Sequence, residues 1–197
     1  MPTHHLIIFV KNPIPGTVKT RIARTVGAER AAQVYRHLIQ YTQQITRYAP
    51  YRKTVYYADF INPYDGWNGY DKAQQTGQDL GERMANAFRQ QFAQGAEKVV
   101  IIGSDCLAIT DAHLTQAFQA LDRADVVIGP ATDGGYYLLG MTTYHECLFV
   151  AMPWSEADLL TRTTQRLNEA NRTYALLPVL SDIDEWSDYE QALRQVG

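Results

Sequence analysis

Four short segments of this chain carry residues able to handle phosphate. "KNPIPGTVKTR" (11–21) places Lys11 ahead of Gly16, with Lys19 and Arg21 behind it. "GSD" (103–105) puts Asp105 directly after an apolar run, and "ATDGGYY" (131–137) sets Asp133 against Gly134 and Gly135 before Tyr136 and Tyr137. "SDIDEW" (181–186) carries Asp182 and Asp184. Lys and Arg give charge-assisted hydrogen bonds to phosphate oxygens. Carboxylates hold a hard divalent cation that bridges those oxygens. A basic loop and three acidic loops brought to one edge would suit a metal-bound nucleotide.

Each segment also has a plainer reading. The basic segment reads either as a phosphate-binding loop or as a solvated turn before a helix. It is not a Walker-type loop, because Val18 stands where that motif needs glycine. Asp105 reads as a metal ligand or as the cap of the helix that follows, a role Thr110 fills better. Asp133 suits the turn "DGG" as well as a chemical role. Asp182 and Asp184 read as ligands or as residues that cap or precede the last helix, where Ser187 is also available. Tyr136 and Tyr137 alternate on a strand, so one should enter the core and the other face the cleft.

These loops need a frame, and the pattern of the chain supplies one. "HLIIFV" (5–10), "KTVYYAD" (53–59), "EKVVIIG" (97–103), "DVVIGP" (125–130), "YYLLGM" (136–141) and "TYALLPV" (173–179) read as strands. Helical spacing runs over 26–48, 79–95, 110–124, 155–171 and 186–196. Asp79, Thr110 and the span Ser155 to Asp158 are candidate N-terminal caps, Gly95 is a C-terminal stop, and 60–72 reads as loop. Strands alternating with helices predict an α/β sandwich with a mostly parallel sheet. In such sheets ligands bind beyond the carboxyl ends of the strands, often at a topological switch point. The four segments follow strands.

Composition narrows the class. A formal net charge of −3 argues against a nucleic-acid binder. No apolar run reaches the roughly 20 residues of a membrane span. The first residues lack the charged and apolar regions of a signal peptide and read as a core strand. Cys106 and Cys147 show no metal-ligand spacing and read as free thiols in a reducing cytoplasm. His4 and His5, near the chain start, are expected to be exposed.

Taken in order, "KNPIPGTVKTR", "GQDLGERM", "GSDC", "GPATDGGYYLLG", "PWS" and "LSDIDEWSDY" resemble one bacterial family. It is DUF2064, the glycosyltransferase-like proteins also called radical-SAM/selenodomain-associated transferase 1, of the nucleotide-diphospho-sugar transferase (GT-A) superfamily. The resemblance spans roughly residues 5 to 190. A looser similarity runs to 2-phospho-lactate guanylyltransferase and to sugar-nucleotidyltransferases. The chain departs from the family pattern at Leu107, where proline is usual, and at Glu156, where threonine is usual.

The resemblance implies a Rossmann-like GT-A sandwich, its mostly parallel central sheet flanked by helices, in one domain over 1–197. It implies that Lys11, Gly16, Lys19, Arg21 and Arg83 face the nucleotide. Asp105 and Asp184 look like ligands for Mg2+ or Mn2+. Gly134, Gly135 and Tyr136 look like the sugar or acceptor side, the glycines letting a substrate approach the backbone. Asp133 would touch a substrate hydroxyl or act as a base. The implied activity is metal-dependent transfer from a nucleotide-activated donor, a sugar passing from an NDP-sugar to a small-molecule acceptor. Two alternatives stay open: nucleotidyl transfer from an NTP to a phosphorylated acceptor, and nucleotide sensing without turnover.

Overall fold

The structure, a computed structural model, describes residues 4–196. Period-two alternation explains the first strand, β1 (His4–Val10): Leu6, Ile8 and Val10 enter one core, and Ile7 enters another on the opposite face. It joins β2 (Arg52–Tyr57), β3 (Asp71–Gln74), β4 (Lys98–Ile102), β5 (Val126–Pro130), β6 (Tyr136–Met141) and β7 (Tyr174–Leu176). The seven form one sheet in the order β3-β2-β1-β4-β6-β5-β7. Every pairing is parallel except those of β6, which is antiparallel to β4 and to β5. The α/β class and the mostly parallel sheet are therefore as the sequence predicts.

Helices cover both faces. On one, Leu114, Ala117 and Phe118 of α4 (Asp111–Ala120) pack with Leu6, Ile8, Val100 and Ile102. Ile39 and Ile45 of α2 (Ala28–Thr46) flank the same core. On the other, Met84 and Phe88 of α3 (Leu80–Ala93) and Leu167 of α5 (Leu159–Glu169) pack with Ile7, Val99, Ile101 and Leu139. A third cluster joins Val18, Ile22 of α1 (Thr20–Val26), Val34 and Leu38 of α2, and Ile183 before α6 (Trp186–Val196). Truncating one such buried aliphatic to alanine costs about 2–5 kcal/mol. The caps at Asp79 and Thr110 form as read: Asp79 Oδ1 accepts from Glu82 N at 2.8 Å, and Thr110 makes a capping box with His113.

The strand order sets the place of a ligand. β2 and β3 lie to one side of β1, and β4 returns to its other side. The carboxyl ends of β1 and β4 thus diverge into the crevice of a switch point. Among the described residues no helix is long and apolar enough to cross a membrane.

Four details differ from expectation. α1 lies ahead of the helix expected over 26–48, where the sequence predicts none; seven residues cannot sustain a helix alone, and this one is held by burial of Ile22. β3, "DKAQ", has no apolar alternation and pairs with β2 alone. α5 starts at Leu159, because Ser155 sits at φ 67° in the preceding turn and Asp158 makes no side-chain cap. His5 is buried, its Nε2 2.8 Å from the Thr54 hydroxyl across β1 and β2.

Burial, reinforced by the Arg52 charge, lowers the His5 pKa to about 4. In the unfolded chain it protonates near 6.5. The unfolded state therefore binds more protons between those values, and stability is full above pH 6.5 and falls as pH drops toward 4. Urea denaturation should show His5 removing about 2 kcal/mol between pH 7 and pH 4.5. His5→Gln should flatten that part of the profile; an unchanged profile would assign the loss to other groups.

Candidate active site

A cleft of about 660 Å3 opens at the switch point. Lys11, Lys19, Arg21, Arg83, Asp105, Asp133, Gly135, Tyr136 and Asp184 all line it; Gly16 and Gly134 do not. Gly16 is exposed at φ 82°, after Pro15, in a turn closed by Thr17 N–H on the Ile14 carbonyl at 3.1 Å. Those are the demands of a type II turn, and they account for the glycine without a ligand.

Beyond that turn the chain enters α1 through Lys19, which caps it in the left-handed region at φ 45° and ψ 51°. This conformation costs a non-glycine residue about 1–2 kcal/mol. Its side chain is only 9% exposed, and Nζ lies 3.4 Å from Asp105 Oδ2 and 3.6 Å from Asp184 Oδ1. Arg21 approaches Asp184 Oδ2 at 3.3 Å from the outside, 64% exposed. Lys11 stands exposed on the lip. Its backbone N–H donates to Tyr35 Oη at 2.9 Å, and that hydroxyl is 2.8 Å from Ser104 Oγ. Burial pushes the Tyr35 phenol up to about 12, so it stays neutral and ties β1 to β4.

The acids sit opposite. Asp105 follows β4, and its Oδ1 folds over Gly103, where a Cβ would stand 2.7 Å away. Its carbonyl accepts from Ile183 N–H at 2.9 Å. Asp105 is not the cap of α4, since Thr110 is. Asp182 and Asp184 precede α6, the Asp184 carboxylate turned to Lys19 and Arg21, while Asp188 Oδ2 in the first turn accepts from Asp184 N at 3.1 Å and from Glu185 N at 2.7 Å. Asp182 faces the cleft, with Oδ1 buried and lacking a hydrogen-bond partner. Burial first, then the Asp105 charge, raise its carboxyl well above the usual carboxylate range, against the opposing pull of Lys19.

Could these residues hold a metal? Among the described residues no three acid, His or Cys side chains stand grouped as a formed metal site. The donors present are carboxylate oxygens, the ligands that Mg2+ and Mn2+ prefer. The orphaned Asp182 Oδ1 is such an oxygen without a hydrogen-bond partner. Carboxylate oxygen is thus the donor type such an ion takes, and Lys19 stands between two of these donors, Asp105 and Asp184.

At the other wall, β5 and β6 form a hairpin over residues 131–135, with Ala131 N–H donating to the Gly135 carbonyl at 3.0 Å. Asp133 Oδ1 accepts from Gly135 N–H at 2.9 Å, so one carboxylate oxygen makes the turn. Gly134 has φ 91°, and a Cβ there would meet the Ala157 carbonyl at 1.9 Å. Its bareness serves the chain's own backbone, not the approach of a substrate. Tyr137 enters the core, with Oη donating to the Pro178 carbonyl at 3.1 Å. Tyr136 meets Trp154 edge to face at 6.2 Å. Trp154 packs on α3, where a Cβ on Gly81 would stand 2.0 Å from its Nε1. Arg83, in the same first turn, donates Nε–H to the Gly77 carbonyl at 3.2 Å.

Tyr35, Ser104 and Trp154 line the cleft without having been singled out as site residues, and Asp182, one of the two candidate ligands of the Asp-x-Asp segment, lines it too. The Asp-x-Asp spacing signals Asp182, and "PWS" contains Trp154. Nothing in the helical stripe of α2 separates Tyr35 from its core neighbours.

The family model described as "Uncharacterized protein conserved in bacteria (DUF2064)" matches residues 42–156. Among solved structures, a candidate nucleotide-diphospho-sugar transferase from Desulfovibrio desulfuricans G20 superposes with a TM-score of 0.88 at 34% identity, over 94% of this chain and 84% of that one. Two more distant proteins share the fold. One is 4-diphosphocytidyl-2C-methyl-D-erythritol synthase of Anaerococcus prevotii DSM 20548, with TM-score 0.62 and 10% identity over 99% of this chain and 96% of that one. The other is the inositol-1-phosphate CTP transferase of T. maritima, with TM-score 0.57 and 12% identity over 98% of this chain and 96% of that one. No curated protein matches. The chain belongs to the DUF2064 family and has the fold of these transferases.

The Gly134 contact makes a direct test. Gly134→Ala combines a positive φ with a collision against backbone, and should destabilise the chain by roughly 2–4 kcal/mol in urea denaturation. A loss below about 0.5 kcal/mol, the range of ordinary surface substitutions, would show that the hairpin and the Ala157 loop separate easily.

Proposed function

We propose that this DUF2064 protein transfers a sugar from a nucleotide-diphospho-sugar to a hydroxyl of a small acceptor. One observation carries the reading: Lys19 pairs with Asp105 and Asp184, and Arg21 with Asp184, in a cleft at the switch point between β1 and β4 that Asp182 also lines. The kinship with the Desulfovibrio protein supports glycosyl over nucleotidyl transfer.

Asp105 and Asp184 would hold Mg2+ or Mn2+, with Asp182 beside them. Such an ion, when bound, acts as a Lewis acid toward the charge that grows on a diphosphate leaving group. Lys11 and Arg21, exposed at the lip, donate charge-assisted hydrogen bonds to phosphate oxygens. Asp133 stands on the opposite wall, where Oδ2 is free of the turn bond that Oδ1 makes and can accept the proton of an acceptor hydroxyl. Tyr136, Trp154, Leu80 and Met84 give that wall an apolar surface for the sugar or acceptor and limit water near the reacting atoms.

A thermal-shift panel of NTPs, NDPs and NDP-sugars, with and without Mn2+, tests this reading on wild type and Asp105→Asn. A ligand at a hundred times its Kd adds about 2.7 kcal/mol to the folded state. The expected result is a Mn2+-dependent shift with an NDP-sugar that Asp105→Asn loses. A shift with NTPs alone would assign nucleotidyl transfer, and no metal-dependent shift would remove the catalytic reading. For the donor so found, Asp133→Asn should keep the shift and lower turnover about 100-fold or more. Unchanged turnover would reduce Asp133 to a turn residue.

A further inference from the structure

We infer that Lys19 is a built-in cation holding the position that the divalent ion must take, so that metal alone is kept out and enters only as phosphate draws the ammonium away. This rests on the metal-dependent reading above. Nζ is within reach of both proposed ligands, 3.4 Å from Asp105 and 3.6 Å from Asp184. A divalent ion shared by those carboxylates, at about 2.1 Å from each oxygen, would lie no farther than about 5.5 Å from the ammonium. Like charges at that distance repel, so the two cations exclude one another.

The backbone favours the inward placement. Lys19 adopts a left-handed conformation at the mouth of α1, and its side chain is 9% exposed while that of Arg21 is 64% exposed. Arg21, held outside on the far oxygen of Asp184, cannot take over the bridge. Asp105, Asp182 and Asp184 line this side of the cleft and Asp133 the opposite wall, and Lys19 is the cation placed between Asp105 and Asp184. Remove its charge and the carboxylates become a stronger cation trap. A phosphate group offers the ammonium a charged acceptor of its own, which frees Asp105 and Asp184 for metal. Lys19 thereby acts as a positioning residue that couples metal entry to the phosphate ligand.

The test is Mn2+ binding without any nucleotide, measured on the whole chain by the electron paramagnetic resonance of free Mn2+. Wild type is compared with Lys19→Met, which keeps the length and loses the charge. Lys19→Gly is the second variant, because glycine accepts the left-handed backbone and so preserves folding. Both variants should bind Mn2+ at least tenfold more tightly than wild type. Adding Asp105→Asn to Lys19→Met should return the affinity to the wild-type level or below. Equal or weaker binding in both Lys19 variants would overturn the lock and leave the metal reading standing. Tight binding that survives Asp105→Asn would also overturn it, by placing the ion elsewhere. No Mn2+ binding in any variant at millimolar concentration would overturn both the lock and the metal-dependent reading.

Discussion

Ile183 holds the charged edge of the cleft together. Its side chain is buried among Val18, Ile22 and Leu38, and its N–H donates to the Asp105 carbonyl at 2.9 Å. One residue thus ties the basic loop after β1, the acidic end of β4 and the Asp-x-Asp segment before α6. These segments are far apart in the chain, and the two acidic ones repel each other, with Lys19 of the basic loop placed between them. Apolar burial supplies the opposing term, about 25 cal/mol for each Å2 removed from water. The bond to the backbone fixes direction, which burial alone does not.

What this tie gathers is not a relaxed arrangement. Lys19 stays in a left-handed conformation, and Asp182 keeps an unpartnered, buried oxygen beside other carboxylates. Local strain of this kind persists only where the surrounding structure over-determines it, and it collects at functional sites. Charges in place before the chemical step begins need no reorganisation during it, which is the condition for strong electrostatic stabilisation. The opposite wall uses different physics. There the hairpin, the Ala157 backbone and Trp154 interlock through close contacts at Gly134 and Gly81. The cleft thus pairs an electrostatic wall with an apolar one.

Much of this is legible in the sequence. The apolar runs at 5–10 and 97–103 become β1 and β4 because burial on both faces needs little beyond hydrophobicity and strand length. The loops after them fall on the switch point by topology, which is why Lys11, Lys19 and Asp105 reach one cleft. What the sequence hides is tertiary. α1 and β3 owe their existence to neighbours, not to propensity. His5 looks terminal but β1 carries it inside. Gly134 invites a substrate-based explanation that the Ala157 carbonyl replaces. That Asp188 and not Ser187 accepts from the backbone N–H groups just before α6 cannot be told until the backbone is known.

The central claim is that the switch-point cleft binds a metal-chelated diphosphate. Anomalous scattering from crystals grown with Mn2+ and the stabilising nucleotide tests it most directly. The account predicts an anomalous peak at Asp105 and Asp184, with the diphosphate against Lys11, Lys19 and Arg21 and Lys19 turned from carboxylate to phosphate. A nucleotide bound outside the cleft, or a peak remote from both aspartates, would contradict it.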